Sequence, residues 1–240
     1  MTSHEHNWNG VSVTLVGMGR SSVGAAALLQ RQGAVPFVTD TADGPALAPW
    51  IAELDRLGIP FEVGGHTDRA WSTPAIVVVS PGVPPNIAPL KAQRERGIPV
   101  IGELELAFRF AEAPIIAVTG TNGKTTVGVP DVPDYYVLEV SSYQLECVVN
   151  FRPWIGVVLN LTPDHLGRHG TMEHYGEVKA RILGRPNYAA SFAVVNSDDA
   201  YVCELAVPDA SELVSFSTEG CGFNTIFSDG NELWIDDRKE

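Results

Sequence analysis

The chain has 240 residues, 45% of them hydrophobic and 19% charged, which is enough apolar material for two domains of the usual size of about 100–200 residues. Its formal net charge of -13 argues against a bare nucleic-acid binder, whose phosphate-facing surface has to be basic. An acidic chain can still hold a polyphosphate, provided backbone amides and a few local cations do the binding.

The first residues, MTSHEHNWNG, have no basic stretch followed by an apolar one, so they do not read as a signal peptide. Val11–Val16 reads as a buried strand, followed by a glycine turn and a helix over Ser21–Gln32. Val35–Thr39 is a second strand and Ala46–Leu57 a second helix, with Trp50, Ile51 and Leu54 as its apolar stripe. Phe61–Val63 and Ala75–Ser80 are further strands, the latter closed by the turn Pro81-Gly82. Pro89–Arg96 reads as a helix, Pro99–Ile101 as a short strand and Leu104–Phe110 as a helix. Strands alternating with helices predict a parallel sheet covered on both faces, hence a Rossmann-like α/β domain over about residues 1–112.

The turn Val16-Gly17-Met18-Gly19-Arg20-Ser21-Ser22 is close to a dinucleotide fingerprint, and Asp40 ends the next strand 23 residues after Gly17, placed for a ribose hydroxyl. Ser22 stands where the third glycine belongs, which alters close helix–strand packing. The pattern is a weak signal for NAD and a fair one for some nucleoside diphosphate whose pyrophosphate meets a helix N-terminus.

A second unit, residues 113–240, opens with the strand Ile115–Thr119. The loop Gly120-Thr121-Asn122-Gly123-Lys124-Thr125-Thr126 follows at once. Glycines there let the backbone amides face phosphate oxygens, Lys124 neutralises the β- and γ-phosphates, and the Thr125 hydroxyl can ligate Mg²⁺. The strict GxxxxGK[ST] pattern fails at its first glycine, because that position is Val118. An ordinary strand-to-helix turn would explain neither the Lys-Thr pair nor its position.

Tyr136–Val140, Trp154–Asn160 and Phe192–Asn196 read as further strands and Met172–Leu183 as a helix. Beyond Ala206 the pattern weakens to short β segments, with Ser228-Asp229-Gly230-Asn231 as a hairpin turn. Glu139 lies at the carboxyl end of its strand, where α/β sheets bind ligands, and could hold a metal ion; taken alone, a strand-end glutamate is more often a surface residue. His165 follows another strand end, and as an imidazole it is an unusual ligand for Mg²⁺. Lys179 has the plain reading of a solvated helix lysine, no different from Lys91. Cys147, Cys203 and Cys221 show no metal spacing and fit a reducing compartment. No apolar run reaches the roughly 20 residues of a membrane span, so a cytoplasmic protein with no membrane partner is expected.

VGMGRSS, VTDT, SPGVP, GELELAF, AVTGTNGKTT, YYVLEVSSYQLE, NLTPDHLGRHG, YGEVKARI and AVVNSDD together resemble the Mur ligases. They run in family order from about Val11 to Asp199. SPGVP and GELELAF resemble the D-glutamate-adding branch. The resemblance implies a Rossmann-like N-terminal domain that holds a UDP-substrate and a phosphate-loop central domain that holds ATP. Arg20, Ser21, Asp40, Thr41, Gly82 and Ser141 would meet the UDP-substrate, and residues Gly120 to Thr126 would hold ATP. Lys124, His165 and Lys179 would be catalytic. Thr125, Glu139, His165 and Lys179 would serve magnesium sites, with Lys179 carbamylated so that its ammonium becomes an oxygen ligand. The implied reaction joins D-glutamate to UDP-N-acetylmuramoyl-L-alanine through an acyl phosphate, in a monomer.

Two features depart from the family pattern. Val127-Gly128-Val129-Pro130-Asp131-Val132-Pro133 cannot be the helix that a phosphate loop runs into. Only nine residues, 126 to 134, separate Thr125 from Tyr135, whereas a crossover with its helix takes at least about 10–12. A stretch between about Thr126 and Gly128 is therefore expected to be missing, and the family's third domain has no counterpart after Glu240. With both losses the chain would bind UDP-substrate without turnover. Four further readings compete: a sister Mur ligase adding a different amino acid, a folylpolyglutamate-synthase-like ligase, a nucleotide-binding module that is no enzyme, and an NAD-dependent oxidoreductase. The folylpolyglutamate-synthase class lacks the separate N-terminal domain, and the oxidoreductase leaves the GTNGKTT loop unexplained.

Overall fold

A computed structural model of the chain describes residues 7–121, 133–185, 187–218, 225–228 and 233–236. The chain divides into two compact units, residues 1–110 with 146–149, and residues 111–145 with 150–240.

The first unit runs β1 (Ser12–Val16), α1 (Arg20–Arg31), β2 (Val35–Thr39), α2 (Ala48–Leu57), β3 (Phe61–Glu62), α3 (Asp68–Trp71), β4 (Ile76–Val79), α4 (Ala88–Glu95), β5 (Val100–Gly102) and α5 (Glu103–Phe110). Its sheet has the order β3-β2-β1-β4-β5 and every pair is parallel. Alternation along the strands feeds both faces. Val13, Leu15, Val38 and Val78 join Val23, Ala26 and Leu29 of α1 and Leu54 of α2 in one core cluster, while Val16, Val77, Val79 and Leu90 of α4 form another. Each fully buried Leu or Val contributes about 1.5–3 kcal/mol relative to exposure. Trp8 stacks on Phe110 at 5.3 Å between ring centroids, which ties the two ends of the unit together.

The second unit runs β6 (Ile115–Thr119), β7 (Tyr136–Glu139), α6 (Ser142–Leu145), β8 (Ile155–Val158), α7 (Leu166–His169), α8 (Met172–Ala180), β9 (Gly184–Arg185), β10 (Tyr188–Ala189), β11 (Phe192–Asn196), α9 (Ala200–Cys203), β12 (Glu212–Ser217), β13 (Thr225–Ser228) and β14 (Leu233–Asp236). The main sheet has the order β14-β13-β12-β11-β8-β6-β7. Its pairs are parallel except β13 with β14. That antiparallel pair is the expected hairpin, although Asp229–Asn231 of its turn lie outside the described residues. The helix read over Met172–Leu183 is α only to Ala180 and continues as a 3₁₀ turn over Arg181–Leu183. That turn packs closely on the sheet: a Cβ at Gly156 of β8 would overlap the carbonyl oxygen of Ile182.

Candidate functional site

In the first unit the carboxyl ends of β1, β2 and β4 surround a cavity of about 400 Å³ lined by Gly17, Gly19, Asp40, Thr41, His66, Ser80 and Gly82 among others. Gly17 has φ 98°, and a Cβ there would lie 2.8 Å from the Ser80 Cβ, so both backbone and space demand glycine. Gly19 is different. Its backbone is extended and nothing lies within 4 Å of an added Cβ, so it leaves an open approach to the start of α1. Ser22 replaces the third glycine without spoiling the packing. It is buried, and its hydroxyl donates to the Gly17 carbonyl at 2.6 Å.

Asp40 has a role that the spacing did not reveal. Its Oδ2 accepts from the Met18 amide at 2.6 Å and its Oδ1 from the Ala42 amide at 2.8 Å, so the carboxylate clamps the glycine turn to the end of β2. Arg20 and Ser21 are exposed in the first turn of α1. Thr41 and Gly82 line the cavity with Asp40. Ser141, expected on the same ligand, belongs to the second unit, where its amide and hydroxyl both donate to Gln144 Oε1.

In the second unit β6 lies between β7 and β8, so their carboxyl ends emerge on one edge of the parallel sheet. Thr119 ends β6, fully buried, and its hydroxyl donates to the Val140 carbonyl at 2.7 Å. Thr121 is the second residue of the loop, and its amide donates to Asn160 Oδ1 at 2.9 Å. Its hydroxyl lies 3.3 Å from the Tyr175 hydroxyl and accepts from the Thr162 amide at 3.1 Å. Asn122, Gly123, Lys124, Thr125 and Thr126 lie outside the described residues.

Lys179 is not a solvated helix lysine. It is only 2% exposed, its Nζ donates to Thr119 Oγ1 at 3.1 Å and to the Gly120 carbonyl at 2.9 Å, and it lies 5.1 Å from the centre of the Tyr175 ring. Periodicity alone could not have found it, because the partners are some sixty residues away in sequence. Burial raises the Tyr175 phenol above its ordinary value of 10.0, against a lowering hydrogen bond with Thr121.

Glu139 ends β7 beside Val118, and His165 caps the start of α7 with φ 54°, a left-handed backbone rare outside glycine. The ring of His165 packs 4.9 Å from that of Tyr143, and its Nε2 stands 3.4 Å from Asp164 Oδ2. Among the described residues no three His, Cys, Asp or Glu side chains come together as a metal-binding group. Glu139 supplies the oxygen donor that Mg²⁺ prefers, whereas Lys179 as an ammonium would repel a cation. No local pattern pointed to Ser142 and His169, bonded at 3.0 Å in the interior, or to Asp199, which accepts from the Leu161 and Val202 amides. A larger cavity of about 790 Å³ lies between α8 and the loop after α9, and none of the residues expected from the sequence lines it.

Residues 11–102 match the Mur ligase MurD-like N-terminal domain and residues 129–229 the Mur ligase middle domain. The phosphate loop falls between these two ranges. The chain is 38% identical over 239 residues to the UDP-N-acetylmuramoylalanine--D-glutamate ligase of Koribacter versatilis, covering 88% of this chain and 52% of that one. It is 38% identical over 234 residues to that of Pelotomaculum thermopropionicum, covering 85% and 51%. The chain thus spans about half the length of the curated relatives it matches. An alignment of 239 residues is also longer than 88% of a 240-residue chain, so the relative has residues that face gaps here. Among solved structures, a UDP-N-acetylmuramate:L-alanyl-gamma-D-glutamyl-meso-diaminopimelate ligase from Neisseria meningitides superposes with a TM-score of 0.58 at 16% identity, over 95% of this chain and 85% of that one. A murein peptide ligase from Psychrobacter arcticus gives 0.55 at 15% identity, over 96% and 60%. Both bear on the fold alone.

Proposed function

The chain belongs to the Mur ligase family, and from that premise we propose that it carries the UDP-substrate and ATP sites of a ligase that adds D-glutamate to UDP-N-acetylmuramoyl-L-alanine in peptidoglycan precursor synthesis. The observation that carries the reading is the buried Lys179 ammonium bonded to Thr119 and Gly120, where the strand feeds the phosphate loop. No core-filling role needs a cation there. The family is ATP-dependent.

In this reading the diphosphate of the substrate meets the first turn of α1, with Arg20 and Ser21 at hand, and the uridine lies toward Asp40 and Thr41. Lys124 neutralises the phosphates of ATP. The terminal carboxylate of the muramoyl substrate attacks the γ-phosphorus, ADP leaves, and an acyl phosphate forms. The amine of D-glutamate then attacks the acyl carbon and inorganic phosphate departs. Both steps rest on positioning and charge neutralisation. Glu139 and His165 would hold Mg²⁺, which supplies charge neutralisation when bound. Carbamylation of Lys179 would replace its charge with an oxygen donor, and would register as an intact-mass gain of one CO₂. A monomer in the cytoplasm is part of the proposal. Among the described residues no helix is long and apolar enough to cross a membrane.

The test is phosphate release that requires ATP, UDP-N-acetylmuramoyl-L-alanine and D-glutamate together. Release driven by a different amino acid would move the assignment to a sister ligase. A second reading, nucleotide binding without turnover, is favoured by the nine residues between Thr125 and Tyr135. It predicts UDP binding with no phosphate release under any substrate combination.

A further inference from the structure

His66 lines the first unit's cavity but belongs to none of the sequence motifs around it. Its surroundings fix both the plane of the ring and its tautomer. Glu62 Oε1 lies 2.8 Å from the Thr39 hydroxyl and 3.0 Å from the Thr67 amide, while Oε2 accepts from the Thr67 hydroxyl at 2.6 Å. A carboxylate so surrounded by donors is an acceptor only, so the single proton of Thr39 goes to Glu62. His66 Nδ1 lies 2.7 Å from that same Thr39 oxygen. With the hydroxyl proton committed, Nδ1 has to be the donor. The Nε2 of the neutral ring therefore carries a lone pair. Trp71 meets the ring edge-on at 5.3 Å and holds its plane. Among the described residues Nε2 has no hydrogen-bond partner.

We infer that His66 is a specificity residue for the nucleoside, its Nε2 accepting a hydrogen bond from the ribose 2′-hydroxyl or from the uracil N3–H. The inference rests on the proposed UDP-substrate site. The strand order places β3, from which the His66 loop emerges, beyond β2 and away from β4. A diphosphate at the start of α1 with its uridine over Asp40 and Thr41 points the nucleoside toward that edge. Asp40 is occupied with the turn's own amides, so His66 offers the next acceptor along the path. A lone pair held in one direction discriminates: a ligand without the matching donor leaves it unpaired in a partly enclosed site.

The experiment is calorimetric titration of the 240-residue chain with UDP, 2′-deoxy-UDP and N3-methyl-UDP, for the original chain and for His66→Phe, which keeps an aromatic ring and removes both nitrogens. UDP is expected to bind about five- to tenfold more weakly to His66→Phe. One analogue should lose a similar factor on the original chain and no more on the variant, and that analogue identifies the donor. Equal UDP affinity in the two chains overturns the inference while leaving the site reading in place, as do two analogues that each lose affinity independently of residue 66. Absence of UDP binding to the original chain overturns the site reading, and the inference with it. ¹⁵N NMR of the original chain tests the tautomer without any substitution. A protonated Nδ1 and a pyridine-type Nε2 are expected, and the reverse assignment overturns the inference even if His66→Phe does not fold.

Discussion

The carboxyl edges of the two parallel sheets are built on opposite plans. In the first unit the polar groups serve the backbone: Asp40 holds the Met18 and Ala42 amides, and Ser22 holds the Gly17 carbonyl. The glycine turn beside the cavity is main chain, shaped by one obligatory glycine. In the second unit the polar groups also meet one another across strands and helices, as Lys179 with Thr119, Thr121 with Tyr175, and Ser142 with His169. A turn built of backbone tolerates most side-chain changes. A network around a buried cation does not, since deleting one member strands the others out of water.

The sharpest test of this contrast is Lys179→Met. It removes the ammonium that donates to the Thr119 hydroxyl and to the Gly120 carbonyl, both held away from water, at a cost of about 2–4 kcal/mol. Chemical denaturation should register the loss, and peptide-resolved hydrogen exchange should place it around β6 and α8. A stability within error of the original would mean that the network is no more fragile than the backbone-built turn.

Gly17→Ala is the corresponding test of the first unit and the exception to its tolerance. The left-handed φ costs an L-residue about 1–2 kcal/mol, and the approach to Ser80 adds to it. Gly19→Ala, with open space and an extended backbone, should cost less than the first change while weakening UDP binding. Comparing thermal midpoints with UDP titrations separates the two glycines. If Gly19→Ala were the more destabilising, the glycine turn would not be held as described. Smaller still is Ser22→Ala, which removes one buried hydrogen bond worth about 1 kcal/mol and should leave UDP affinity unchanged.

The same contrast explains what the sequence could reveal. β2, β6 and β11 fall at the expected residues, because unbroken apolar, mostly β-branched runs between turn signals suit buried parallel strands and little else. The four-residue helices α3, α6, α7 and α9 carry too little periodicity to be recognised. Gly17 and Asp40 were visible because a backbone-built turn has local spacing. The partners of Lys179, Thr121 and His66 lie 27 to 60 residues away, a separation that no local pattern encodes. The loop from Asn122 to Thr126 was the clearest signal in the sequence and lies outside the described residues.

The smallest expected effect is a pH dependence confined to the β3–α3 corner, where the first unit does use side chains to hold side chains. Burial alone would push the Glu62 carboxyl up, but hydrogen bonds from the Thr67 and Thr39 hydroxyls and the Thr67 amide, together with the charge of nearby His66, outweigh it and hold the group below its ordinary value of 4.5. A carboxyl depressed in the folded chain stabilises it above the unfolded value, and that contribution is lost as pH falls through the lower folded value. Hydrogen exchange of residues 61–71 should therefore quicken below about pH 4.5, beyond the intrinsic pH dependence of exchange. Glu62→Gln should flatten that excess while leaving the peptides around β6 and α8 unchanged. An excess that persists in the Gln variant would assign the acid sensitivity to other carboxylates and weaken the claim that Glu62, through Thr39, sets the proton on His66.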